Sequence, residues 1–405
     1  MIDPMIDPMR DPMSDPSTGP VVAVLGAGPV GLDAALACAD AGLPCTVYEA
    51  GDQVGSLVAR WGHVRLFTPW SMNVSARMRA HLPGAPDGSR CPTGAELVDR
   101  LLAPLAALPA LAGRVRLGHP VRAVARRGLL KHEEISTAAR GSTPFRLLVE
   151  GPHGERVEQA DVVLDCTGTY GQPNRLGDGG IPAVGESALD GRITRTLPRC
   201  DDPERWRGRV LLVGAGKSAQ TAALELAELP GTELEWVVRD PDPDWGEIAG
   251  DTLPARQALV DGSRRLAAGE HPRVVVHTGT TVERLTPHGN RVGVGLASPG
   301  GVPRTTVDHV VALTGYVGDH GLYRQLQVHE CYATAAPMNL SAALLGSAGG
   351  DCLAQPSVGV DTLRSPEPNF FVLGAKSYGR LSTFLLRAGY DQVGQVRDAL
   401  APAGA

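Results

Sequence analysis

Val21-Val22-Ala23-Val24-Leu25-Gly26-Ala27-Gly28-Pro29-Val30-Gly31 joins an apolar run to a glycine-rich turn, and an alanine-rich segment from Leu32 to Ala41 follows at once. The apolar run suits a buried strand and the alanine-rich segment suits a helix. A Gly-x-Gly-x-x-Gly turn between them lets the chain reverse tightly and brings bare backbone close to a pyrophosphate. The opening helix meets that charge with amide hydrogens and a positive dipole end. Gly26, Gly28, Pro29, Val30 and Gly31 are therefore the first candidate contacts to a dinucleotide. Leu43 to Tyr48 reads as a second strand, and Glu49 ends it, where a carboxylate can accept both hydroxyls of an adenosine ribose. Strand, turn, helix, strand and acid in this order predict a dinucleotide-binding fold; the other reading is a glycine turn in an ordinary α/β domain.

The pattern recurs. Val210-Leu211-Leu212-Val213 runs into Gly214-Ala215-Gly216-Lys217-Ser218-Ala219, a helical run spans Gln220 to Leu229, and a strand from Glu233 to Val238 ends on Arg239. A carboxylate at that strand end would repel a 2'-phosphate, whereas a guanidinium binds it bidentately, so the second nucleotide reads as NADPH rather than NADH. Lys217 adds positive charge near the same phosphates. A solvated loop arginine beside Asp240 and Asp242 is the alternative for Arg239.

Composition bounds the rest. A chain of 405 residues has ample core for two or three domains, and 50 Gly with 33 Pro suits many tight turns. A net charge of -6 argues against a nucleic-acid-binding surface. The seven cysteines show neither C-x-x-C nor metal-ligand spacing, as in a reduced cytoplasmic protein; His329-Glu330-Cys331 reads as a local triplet, and no metal is expected. The apolar stretch Leu101 to Ala112, broken by Pro104 and Pro109, is too short to span a membrane and reads as a helix or helix pair. Residues 1–17 contain the repeat MIDP-MIDP-MRDP-MSDP, which lacks the pattern of a signal peptide and is read as a disordered tail.

Two further segments end alike: Asp161 leads a strand into Thr167-Gly168, and Asp308 leads another into Thr314-Gly315. With these motifs in order, residues 18 to 400 resemble the flavin-containing monooxygenase-like branch of the two-dinucleotide-binding-domain flavoproteins. The resemblance implies an α/β chain of two Rossmann-like domains in the glutathione reductase-like arrangement, with the NADPH domain inserted in the FAD domain. The expected ranges are 18–195 for the first part of the FAD domain, 196–317 for the NADPH domain and 318–405 for the C-terminal part of the FAD domain. It places FAD on Gly26, Gly28, Gly31 and Glu49, with Val121 against the adenine, and NADPH on Gly214, Gly216, Ser218 and Arg239. Thr167, Gly168, Thr314 and Gly315 become the crossings between domains beside the nucleotides.

The chain departs from that family in two places. After the ribose carboxylate the family's Gly-Gly-x-Trp is replaced by Gly55-Ser56-Leu57-Val58, and near the C-terminus its Gly-Asp becomes Gly374-Ala375. In a chain with 4% aromatic residues, Arg60 to Asn73 concentrates Trp61, His63, Arg65, Phe67 and Trp70, a composition that suits the edge of an isoalloxazine or a stapled surface loop. Arg65 and Trp70 are expected flavin contacts, and Asn73 best matches the family's flavin-proximal asparagine. A C-terminal helix from Ser382 is expected to aim its N-terminus at the flavin, with Lys376 and Tyr378 facing the ring or the substrate.

The resemblance implies a monooxygenase: NADPH reduces FAD, O₂ gives a C4a-hydroperoxide, and one oxygen passes to a small-molecule nucleophile, an amine nitrogen or a sulfur. Three alternatives stand beside it. They are a disulfide reductase, which needs a cysteine pair by the flavin; a flavin oxidase or reductase without oxygen transfer; and a redox-inactive nucleotide-binding scaffold, which the Gly374-Ala375 departure would suit.

Overall fold

The computed structural model describes residues 19–248, 253–298, 300–301, 304–346 and 359–400. The Met-Asp-Pro repeat and Cys352 lie outside the described residues.

The first unit contributes β1 (Val22–Leu25), β2 (Cys45–Tyr48), β3 (Val115–Arg116), β4 (Val121–Arg126), β5 (Phe145–Gly151), β6 (Gly154–Ala160) and β7 (Val162–Asp165). The second contributes β8 (Ile193–Thr194), β9 (Gly208–Val213), β10 (Thr232–Val237), β11 (Val274–His277), β12 (Thr281–His288), β13 (Arg291–Ala297), β14 (Arg304–Val307) and β15 (His309–Ala312). A hairpin of β16 (Glu330–Cys331) and β17 (Ala336–Pro337) precedes β18 (Phe370–Val372).

Two parallel sheets result, ordered β18-β7-β1-β2-β3 and β11-β10-β9-β15-β8, and each carries an antiparallel meander, β4-β5-β6 or β12-β13-β14. Since β18 completes the first sheet after the whole second sheet has been built, the second unit is inserted in the first. The second sheet begins at Ile193, slightly ahead of the expected boundary at 196.

Period-two alternation decides which layer each side chain enters. Val22 and Val24 pack with the helix α1 (Pro29–Asp40), while Ala23 and Leu25 face the meander core of Phe145, Leu147 and Val149. The second unit repeats this: Val210 and Leu212 pack with α2 (Lys217–Glu228), and Leu211 and Val213 meet Val282, Leu285 and Val294. The acidic residues noticed before both Thr-Gly segments also have one shared task. Asp161 accepts from the Val21 amide at 2.9 Å and Asp308 from the Arg209 amide at 2.8 Å, closing off the starts of the two central strands.

The helices differ from expectation in two places. The run around Leu101 is helical, entered through a Thr93–Glu96 capping box, but it passes through a π turn at Val98–Leu102 just before Pro104. Such a turn accommodates the amide that proline cannot supply. The C-terminal helix α3 (Leu386–Leu400) starts later than Ser382, so Ser382 and Thr383 lie in a turn rather than capping it. It packs on α1 where Gly389 and Gly374 leave room for Val30. Among the described residues no helix is long and apolar enough to cross a membrane, and no cluster of three or more His, Cys, Asp or Glu could hold a metal.

One buried ionic knot ties the first meander to the segment before β18. Glu367 accepts from Arg126 Nε at 2.7 Å, Arg140 Nη2 at 2.7 Å and the Gln327 amide at 2.7 Å, with all three charged side chains at 0% exposure. Glu367→Gln leaves two guanidiniums without their counter-charge and is expected to lower stability by about 3 to 5 kcal/mol. Glu150→Gln, which breaks the exposed Arg122–Glu150 pair, is expected to cost about 1 kcal/mol or less. Denaturant midpoints of the two variants against the parent check both.

Candidate functional site

Both glycine turns sit at the carboxyl ends of their sheets, and each glycine has a distinct duty. At Gly26 φ is +94° and an added Cβ would lie 2.9 Å from the Cys166 carbonyl oxygen; at Gly214 φ is +126° and the equivalent contact is 2.3 Å to the Leu313 carbonyl. These are turns that a larger residue could not make. A Cβ on Gly31 would come within 1.9 Å of the Gly26 oxygen, so α1 rests directly on the turn. The middle glycines behave oppositely. Nothing lies within 4 Å of a Cβ built on Gly28 or on Gly216, and neither helix that starts there is capped by a side chain. Open space over uncapped amides at the start of a helix is the shape a pyrophosphate fills.

Glu49 is buried beside the first turn. Its carboxylate accepts from the Ala27 amide at 2.7 Å, the Gly51 amide at 2.9 Å and the Ser56 hydroxyl at 2.7 Å. A carboxylate has about four lone-pair positions, so one remains, and room for the second of the two expected ribose hydroxyls would require Ser56 to turn away. The following backbone folds back over it, His119 N donating to Glu49 O and Gly118 N to Gly51 O, which brings Val121 to the same end of the sheet.

In the second unit the register corrects one expectation. Gly26 N donates to Tyr48 O and Gly214 N to Val237 O, so the position equivalent to Glu49 is Val238, fully buried, and Arg239 stands one residue beyond. Arg239 is exposed and no described residue pairs with it. Lys217 is also redirected: its ammonium donates to the Trp245 carbonyl at 2.9 Å and reaches Gln220 Oε1 at 3.4 Å, on the helix flank rather than over the turn. Ser218 is exposed at the start of α2.

Thr167-Gly168 begins the outgoing connection between the units and Thr314-Gly315 the returning one, and the returning segment pairs with Gln172 to Asn174 further along the outgoing one. Asn174 N donates to Gly315 O, Asn174 Nδ2 to Thr314 O, Thr314 Oγ1 to Asn174 O, and Val317 N to Gln172 O. An aromatic series crosses the same junction: Trp61 lies 5.6 Å from Tyr170, and Tyr170 5.1 Å from Tyr316. Val64 from the same loop packs on the core of the second unit. Arg60 to Asn73 is therefore a bridge between units. It also holds unmet polarity: the buried Trp61 Nε1, Trp70 Nε1 and both ring nitrogens of His63 have no hydrogen-bond partner among the described residues.

The three candidate catalytic side chains are all buried inside the fold. Asn73 exchanges hydrogen bonds with Thr68, its Oδ1 accepting from Thr68 Oγ1 and its Nδ2 donating to Thr68 O at 2.8 Å each, while Tyr390 donates to its carbonyl. That closed loop makes it a brace. Lys376 is fully buried in an ion pair with Asp165 at 2.6 Å. Tyr378 packs 5.3 Å from Phe384, and burial pushes its phenol up, so it is a neutral hydroxyl. Arg65 is exposed and donates to the Cys91 carbonyl, while Trp70 is buried with Arg100 over its ring. The Gly374 amide donates to Gln392 Oε1 at 2.8 Å, and Ala375 opens a short turn of helix. That network, running on from Gln392 to Ser377, occupies the place of the family's Gly-Asp.

Sequence spacing missed one cysteine contact. Cys38 and Cys45 are both buried, and the neighbouring Cys38 thiol, then burial, pushes the Cys45 thiol well up. Register places Cys45 opposite Val22, three residues before the level of Leu25 and Tyr48, so the pair lies about 10 Å below the glycine turn. Cys166 adjoins that turn, but burial, then the charge of Asp165, push its thiol well up, opposite to what a redox nucleophile needs.

No protein-family model matches this chain, and no curated protein matches it. Solved structures do. Bacillithiol disulfide reductase Bdr (YpdA) from Bacillus cereus superposes with a TM-score of 0.68 at 18% identity, over 94% of this chain and 98% of that one. Ornithine hydroxylase (PvdA) from Pseudomonas aeruginosa gives 0.60 at 16% identity, over 94% and 98%. Thioredoxin reductase of T. acidophilum gives 0.57 at 16% identity, over 94% and 99%. The chain thus has the fold of the two-dinucleotide-binding-domain flavoproteins, as its ordered motifs imply.

The glycine geometry separates binding from folding. Gly28→Ala puts its methyl into open space and is expected to leave the melting temperature unchanged while weakening dinucleotide binding at the first turn. Gly31→Ala drives a methyl onto the Gly26 carbonyl and is expected to lower the melting temperature outright. Thermal melts together with the flavin content of each purified variant check the pair.

Proposed function

We propose that this chain is an FAD- and NADPH-dependent oxidoreductase, and more specifically a monooxygenase that passes one atom of O₂ to a small-molecule nucleophile such as an amine nitrogen or a sulfur. The observation carrying the two-cofactor reading is the duplicated cradle, with a glycine lacking any neighbour over an uncapped helix start in each unit. Bound there, FAD would take a hydride from NADPH and activate oxygen. The residues fit these groups: Gly28 and the first amides of α1 would hold one pyrophosphate, Glu49 a ribose hydroxyl, and Gly216 and Ser218 the other pyrophosphate. Arg239, exposed and one residue past the Glu49-equivalent position, is long enough to reach a 2'-phosphate beyond the ribose.

The oxygen-transfer part rests on the motif order and on the cysteines. Oxygen transfer asks the protein for positioning and exclusion of water rather than for a catalytic triad, and the aromatic series Trp61, Tyr170 and Tyr316 supplies an apolar wall where the two units meet. A second reading, an NADPH-dependent reductase of an organic acceptor, draws on the likeness to solved reductases. A dithiol mechanism is disfavoured by the distance of Cys38 and Cys45 from the glycine turn and by the protonated Cys166.

The purified protein is expected to be yellow, to release FAD rather than FMN, and to oxidise NADPH in preference to NADH. Arg239→Ala should raise the Michaelis constant for NADPH about 10- to 150-fold with little change for NADH. Equal use of both coenzymes by the parent enzyme overturns that assignment. Oxidation of an amine or sulfide panel under ¹⁸O₂ should put one labelled atom in the product. Consumption of NADPH that depends on an organic acceptor and not on oxygen selects the reductase instead.

A further inference from the structure

We infer that Lys376 is a positioning residue: one buried ammonium pins both connections between the units, and so sets the geometry in which the two dinucleotide cradles face each other. Its three N–H donors are all used. Nζ donates to Asp165 Oδ2 at 2.6 Å at the end of β7, to Thr167 Oγ1 at 3.2 Å on the outgoing connection, and to the Asp319 carbonyl at 2.8 Å on the returning one. Asp165 in turn accepts from the amide and hydroxyl of Thr167, at 3.1 and 2.6 Å. The returning chain lies against the lysine stem so closely that a Cβ on Gly318 would sit 2.5 Å from Lys376 Cγ. The Tyr323 ring closes the remaining side, 5.0 Å from Nζ.

Burial makes this arrangement strong and specific. Lys376 and Asp165 have fully buried side chains, so neither charge finds water as a substitute partner and the pair is held to one geometry. Beyond this point the two connections are held mainly by their hydrogen bonds to each other around Asn174 and Gly315, which travel with the second unit. The first unit therefore grips the second through Lys376 at the root of both strands. Lys376 also follows directly on Gly374-Ala375, the segment that stands where the family contacts flavin, so the same turn that borders the first cradle fixes the approach of the second.

The kinetic half of this inference rests on the two-cofactor reading; the structural half does not. Lys376→Met with Asp165→Asn removes both charges without stranding either, and Gly318→Ala perturbs the clamp from the other side with both charges kept. Spin labels at His153→Cys and Glu270→Cys, exposed sites on the first and second units, in a chain with Cys91, Cys200 and Cys352 changed to serine, report the distance between units by electron–electron double resonance. The parent should give one narrow distance, and both clamp variants a shifted or broadened one, with or without cofactors. In the FAD-loaded enzyme, single-turnover reduction by NADPH should slow roughly tenfold or more at saturation, since small misplacements of reacting groups cost rate steeply. The NADPH dissociation constant and FAD content should stay within twofold of the parent. Unchanged distance distributions in folded variants overturn the clamp. A changed distribution with an unchanged reduction rate overturns its catalytic consequence. A parent that binds neither cofactor defeats the functional reading while the distance measurement still decides the structural one.

Discussion

The structure depends on a close backbone approach made twice: the turn that ends each central strand passes directly over the backbone leaving the neighbouring strand, with no side chain between. At Gly26 a single methyl would meet the Cys166 carbonyl, and at Gly214 one would meet the Leu313 carbonyl. Everything that lets a phosphate come near follows from it. The helix amides converge on one point, the middle glycine leaves that point open, and the following strand delivers Glu49 to its edge in one unit, while in the other buried Val238 takes that place with exposed Arg239 one residue beyond.

Two such units need a defined relation if electrons are to pass between their nucleotides, and the chain supplies it with few groups. The outgoing and returning connections pair with each other, an aromatic series crosses beside them, and a buried lysine closes their base. Among the described residues, four buried polar atoms without a partner, Trp61 Nε1, Trp70 Nε1 and both ring nitrogens of His63, lie in the loop that bridges the units, and others are scattered elsewhere in the chain.

The site's charges are arranged with economy. Asp165 serves three groups at once, Glu49 three, and Glu367 two guanidiniums and an amide. In each of these cases a carboxylate at a strand end or in a connecting segment gathers donors that would otherwise be buried unpaired.

The glycine turns, the strands before them, Glu49 and the paired Thr-Gly segments were legible in the sequence because each is a local requirement: tight turns, backbone approach and buried parallel strands demand particular residues at fixed short spacings. The insertion of one unit in the other was legible only through family resemblance. What Lys376 faces was not legible, because its partner Asp165 lies 211 positions away, and what Asn73, Tyr378 and Lys217 face was not legible because the packed chain, not spacing, turns them onto Thr68, Phe384 and the Trp245 carbonyl. Nor could spacing reveal that Cys38 touches Cys45, or that Val238 rather than Arg239 matches Glu49, since strand register and helix packing decide both. The sequence alone determined two dinucleotide cradles, through short-range sterics; the tertiary structure decided which charged groups remain free to meet a ligand, because a buried charge goes to whichever partner the packed chain brings to it.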